Sequence, residues 1–264
     1  MRRLAAGLGL IAIVFVVLLM LEPLPVQAAA TLVQQSGFGP CTNCPGAFVQ
    51  SNFPNPVVSG DVMVVAVAGV NNVLASLSDS LGSSFTLVVS EVHPPPTYLN
   101  AYIYYAILSK SGTDLITATF SSPTVPYYET IINYELSGLT LLRIGTATGT
   151  GTGTTLSTSS PLTFQSGDFL SAIIEAKCPP ICSYAPGAGF TLWEYIGGYA
   201  TSGVSSPTSF PGTLSSAATA WVEAAVSIGP ASPIPQYPLG VPLLALMMII
   251  GYGLVRRRTG NRHP

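Results

Sequence analysis

Charge is what this 264-residue chain has least of: 8% of its residues are Asp, Glu, Lys or Arg. Bases are the scarcer sign. Between residues 31 and 229 only Lys110, Arg143 and Lys177 stand against ten acids. A nucleic-acid partner needs a basic footprint to neutralise phosphates, so that class of partner is excluded. Histidine is nearly absent as well. His263 lies in the last residues, and His93 runs into Pro94, Pro95 and Pro96. A Ser-His-Asp hydrolase would have to use His93, and no G-x-S-x-G elbow accompanies it. No N-x-[ST] sequon occurs, so N-glycosylation is not expected. Helical periodicity is missing from 31–229, which leaves strands to build the body of the protein.

Long apolar runs are confined to the two ends. Arg2 and Arg3 precede an uncharged apolar stretch, 4–21, and a Pro-broken segment ending in Ala28, Ala29 and Ala30. This order of basic, apolar and small-residue regions predicts a secretory signal helix over 1–30, cleaved near its alanines. At the other end, PASPIPQYPLG (230–240) is a Pro-rich hinge and 241–255 an apolar run. Arg256, Arg257 and Arg258 stop that run, and no charge occurs between Glu223 and Arg256. A span needs ~20 apolar residues, and counted from Ile234 the segment reaches that length. The arginines place 256–264 on the cytoplasmic side of a transmembrane helix. The expected order is therefore signal peptide (1–30), extracellular domain (31–229), hinge (230–240), transmembrane helix (241–255) and cytoplasmic tail (256–264). The protein is expected at the cell surface, either single-pass and anchored or processed and surface-attached.

Four cysteines form two tight pairs, Cys41 with Cys44 and Cys178 with Cys182. In an exported chain such pairs favour disulfides over zinc. Local pairing would staple each loop; crossed pairing would join two distant loops, and the sequence does not choose between them.

Apolar, β-branched or alternating segments recur at 61–71, 85–93, 98–109, 115–121, 127–137, 169–177, 189–197 and 218–229, separated by Gly, Pro, Ser, Asn and Asp. Eight or more such strands predict an all-β, two-sheet antiparallel sandwich. The phrase Ser-Gly-Asp opens two of the apolar segments, at Asp61 and Asp168, where Gly tolerates the positive φ of a tight turn. A shortened relative stands at Ser137 and Gly138. The Thr/Gly stretch GTATGTGTGTTLSTSS (145–160) reads as a polar edge strand rather than a linker, because the Ser-Gly-Asp phrase resumes directly after it.

The ordered phrases SDSLGSSFT, AYIYYA, GTDLITATFS, YELSGL, TGTGTT, GFTL and TAWVEAAVSI resemble a family of secreted β-sandwich domains of unassigned function in bacterial and archaeal surface proteins. The resemblance covers most of 45–229 and implies a jelly-roll-like sandwich with no catalytic residues to carry over. Separately, Pro235, Gln236, Tyr237, Pro238, Leu239 and Gly240, followed by an apolar helix and an Arg cluster, resemble the C-terminal signals handled by exosortases and archaeosortases. That resemblance implies removal of the helix and attachment of the remaining chain, with plain retention of the anchor left open.

Three functions remain in view. The first is a non-enzymatic surface protein, structural or adhesive, whose partners are the membrane and other surface proteins or glycans. The second is a carbohydrate-binding module, for which Tyr102, Tyr104, Trp193 and Tyr195 are the candidate platform, since such rings stack on sugars. The third is a surface glycoside hydrolase, which needs two acids ~5–9.5 Å apart across one cleft. Glu129 and Glu135 share a strand face but lie ~20 Å apart, whereas Glu175, Glu194 and Glu223 come from different strands and are the set that can converge. The favoured reading of all these acids is a solvent-facing position on an alternating strand, or an edge-strand charge that blocks aggregation. No cofactor is called for. Calcium is the one ion the oxygen donors suit, around Asp79 and Asp114, yet no dense Asp cluster supplies its six to eight oxygens. Capping of their own turns is the favoured role of these two aspartates.

Overall fold

A computed structural model describes residues 29–42, 47–95, 98–121, 128–178, 183–193, 197–200 and 212–231. The expected signal helix, the hinge, the transmembrane helix and the basic tail all lie outside these residues, apart from Ala29, Ala30, Pro230 and Ala231. No helix is present among the described residues. The described residues, which end at Ala231, form one compact unit.

The strands are β1 (Thr31–Thr42), β2 (Phe48–Asn52), β3 (Val62–Val70), β4 (Val73–Asp79), β5 (Thr86–His93), β6 (Leu99–Ile107), β7 (Leu115–Ser121), β8 (Tyr128–Ser137), β9 (Leu142–Leu156), β10 (Phe169–Lys177), β11 (Tyr184–Pro186), β12 (Thr191–Trp193), β13 (Gly197–Ala200) and β14 (Gly212–Pro230). They form three antiparallel sheets rather than the expected two. The central sheet runs β1-β8-β3-β6-β5. A second sheet contains β11, β14, β10, β13 and β12, with β9 along the other side of β14. A small sheet, β2-β7-β4, makes the third layer.

The reason for a third layer is in β3. All nine of its residues, Val62–Val70, are buried. A strand with one wet face must alternate, and a continuous apolar run needs cover on both faces. Val62, Val64, Ala66 and Ala68 pack toward the second sheet, against Phe169 and Ile173 of β10 and Val222, Ala224 and Val226 of β14. Tyr134 meets Phe169 across this core with ring centroids 5.0 Å apart and planes tilted by 59°, a geometry aromatic pairs favour. Met63, Val65 and Val67 face the other way, against Val49, Ile116, Ala118 and Phe120 of the small sheet. On β7 the buried Ile116, Ala118 and Phe120 alternate with Thr117 and Thr119, so the sequence pattern sets its inward face. A third core lies on the outer face of the second sheet, where Leu162 and Tyr184 cover Ala172, Ile174, Trp221 and Ala225.

Both Ser-Gly-Asp phrases form the same turn. Gly60 has φ 94° and Gly167 φ 89°. The amide of Asp61 donates to Val58 O (3.2 Å) and that of Asp168 to Gln165 O (3.1 Å). Each turn launches the middle strand of a large sheet, β3 or β10. Counting only the strands of each large sheet, the orders then match: first strand, last strand, turn-launched strand, penultimate strand and the one before it, as β1-β8-β3-β6-β5 and β9-β14-β10-β13-β12, with β2, β4 and β7 of the first half set aside in the small sheet. Val62 pairs with Leu136 and Phe169 with Ile228 at equivalent places. The short phrase thus marks an architectural repeat of two halves, packed inner face to inner face.

The Thr/Gly stretch is an edge strand, β9, paired among the described residues with β14 alone. Its alternation has a steric cause. A Cβ on Gly151 would fall 2.6 Å from the Trp221 ring, and one on Gly149 would fall 2.4 Å from Ser157 O. Only glycine fits beneath these groups, while Thr146, Thr150, Thr152 and Thr154 on the opposite face are exposed.

Candidate functional site

The acids of this protein are mostly inside it. Glu129, Glu135 and Glu223 have no exposed surface, and Glu175, Asp114 and Asp168 are buried too. Burying a carboxylate is costly without compensating partners, so these groups are where chemistry was to be sought.

Glu129 and Glu135 stand at opposite ends of β8 on the face that meets the small sheet, with Ile131 and Asn133 between them. Glu129 Oε1 accepts from Asn72 Nδ2 (3.0 Å), and Asn100 in turn donates to Asn72 O (2.5 Å). Its Oε2 has no partner. Burial raises the Glu129 carboxyl to about 7. Asn133 donates to Ser36 Oγ (3.1 Å), which also receives Ser51 Oγ (3.1 Å). Glu135 accepts the Val58 amide (2.7 Å) and Gln34 Nε2 (2.5 Å), tying β1 and the loop before β3 to the middle of the sheet. Asp61 sits beside it. Burial first, and then Glu135, push the Asp61 carboxyl above its usual range.

Glu175 and Glu223 are buried rather than solvent-facing, which corrects the expectation from sequence, and they do not converge. Glu175 is opposite Val222, on the face turned to the central sheet; Glu223 is opposite Ile174, on the outer face. The sheet itself separates them, because neighbours in a strand alternate faces. Glu194, the third of that set, lies outside the described residues. Glu175 Oε1 accepts the amide of Ala176 (3.1 Å), and burial raises its carboxyl to about 8. Neither oxygen of Glu223 has a partner, and burial raises it to about 8. On the same face the Tyr184 hydroxyl and Trp221 Nε1 are also buried without partners. Burial and then the nearby Glu223 raise the Tyr184 hydroxyl far above its usual range.

The one ion pair among the described residues is Arg143 with Asp168, bidentate at 2.8 and 2.6 Å. It locks the start of β9 onto the second Ser-Gly-Asp turn, where Asp168 Oδ2 also accepts the Gln165 amide (2.8 Å).

Of the four rings of the expected aromatic platform, the structure describes the side chains of Tyr102 and Tyr104. Tyr102 is 8% exposed, and Tyr104 on the same face of β6 is half-buried. Tyr105 turns to the opposite face and packs against the main core. Trp193 ends β12, its side chain outside the description, and Tyr195 lies outside altogether. Cys178 is disulfide-bonded. Cys44 and Cys182 lie outside the described residues, Cys41 is placed by its backbone pairing with Glu129, and the pairing stays open. No group of three or more metal-binding side chains occurs among the described residues.

Sequence reasoning placed Glu129 and Glu135 on one face but read them as solvent-facing. The apolar residues flanking them on both sides, in ETIINYEL, were the available signal that this strand has no wet face. The chain matches no known protein family, no curated protein and no solved structure.

Proposed function

We propose that this protein is a non-enzymatic, surface-anchored β-sandwich with a structural or adhesive role. In this reading 1–30 is the export signal, 230–240 the hinge and sorting motif, 241–255 the membrane helix and 256–264 the cytoplasmic tail. Kinship with secreted jelly-roll-like surface domains is part of the same proposal. The observation that carries it is the division of side chains between inside and outside. Acids sit in structural hydrogen-bond networks or in cores, while Thr146, Thr150, Thr152 and Thr154 leave a row of exposed hydroxyls along the edge strand β9. Outward positions of the small sheet add Gln50, Asn52, Ser76 and Ser78. A neutral hydroxyl surface is hydrated without charge and contacts polymers or neighbouring copies without steering them electrostatically.

The test combines protease treatment of intact cells with fractionation and the intact mass of the extracted chain. Loss of the protein from the membranes of protease-treated cells but not of untreated ones, and a mass starting near Ala30, are the expected results. Protection from external protease overturns the surface assignment. Turnover of glycosides that is abolished by Glu175→Gln or Glu223→Gln, with folding intact, overturns the non-enzymatic one.

A further inference from the structure

We draw no further inference here: the strongest candidate, the apolar patch that Leu87 and Val92 of β5 form with Tyr104 of β6 on the face of the central sheet turned away from the second sheet, is an unpartnered surface, and nothing in the structure shows what covers it.

Discussion

Replacing Glu223 by Gln should stabilise this protein in alkaline solution and leave it nearly unchanged in acid. Both oxygens of Glu223 are buried without partners, and its carboxyl is raised from 4.5 to about 8. Within that core the Tyr184 hydroxyl is the group the Glu223 charge acts on. The sign follows from proton counts. Below the unfolded value both states hold the proton and Glu223 costs little. Between 4.5 and about 8 the folded state keeps a proton that the unfolded state releases, so stability falls as pH rises. Above about 8 the whole cost is present. At 1.36 kcal/mol per unit the shift corresponds to an upper value of about 5 kcal/mol, comparable to the net stability of a small domain; relaxation and water entry reduce it to about 2–3 kcal/mol. Glutamine keeps the shape and never ionises. Urea denaturation of both proteins at several pH values from 4 to 9 gives the test, with curves close in acid and diverging in favour of the variant above neutrality. Parallel curves across the range would refute the assignment of an unpartnered, buried carboxylate.

Two further outcomes follow from packing and charge. Asp168→Asn removes the bidentate partner of Arg143 and should cost about 2–3 kcal/mol at neutral pH, read by chemical denaturation; a loss below about 0.5 kcal/mol would mean the pair is a surface contact in energetic terms. Gly151→Ala places a methyl 2.6 Å from the Trp221 ring and should cost about 1–3 kcal/mol with a shift in tryptophan fluorescence, whereas Thr152→Ala on the exposed face should change stability by less than about 0.5 kcal/mol.

Much of the strand set was legible because its signals are local. The segments expected at 85–93, 98–109, 115–121 and 169–177 contain β5, β6, β7 and β10 within a residue or two. The strands β1, β2 and β4 gave no such signal. β1 carries Gln34, Gln35, Gly37, Gly39 and Pro40, and its place is fixed by pairing with β8 rather than by apolar alternation. β4 exposes Val73, Ala75, Ser76 and Ser78 and buries none of its residues fully, so no clean apolar alternation marks it and its pairing with β7 makes it a strand. The number of layers was misjudged for a related reason. The unbroken apolar run of β3 signalled a strand, but burial on both faces is a statement about two other sheets, and those are assembled from segments far away in the chain. The same holds for the candidate acids: alternation tells which residues share a face of one strand, and only the pairing of β10 with β14 sends Glu175 and Glu223 to opposite sides.

The two Ser-Gly-Asp turns show how one joint can be built with different charges. In each half, the residue before the partner of the first turn-launched position reaches outward to fasten the segment leading into the turn. In the first half this residue is Glu135, which accepts the Val58 amide and Gln34 Nε2. In the second it is Ser227, which accepts the Gly145 amide (3.1 Å) and donates to Thr163 O (2.7 Å). A hydroxyl both gives and takes, so it fastens two strands without charge. A carboxylate only takes while ionised, and it stands next to the Asp that the turn itself requires. The first half therefore carries a contact between two acids at this joint, which adds to the burial that pushes Asp61 up. The second half has a neutral residue there, and its Asp168 turns to Arg143, a base with no ion-pair counterpart at Asp61 among the described residues. The repeated architecture thus fixes the turn and its hydrogen bonds, whereas the choice of Glu or Ser at one outward position decides whether the joint repels itself or is clamped by an ion pair.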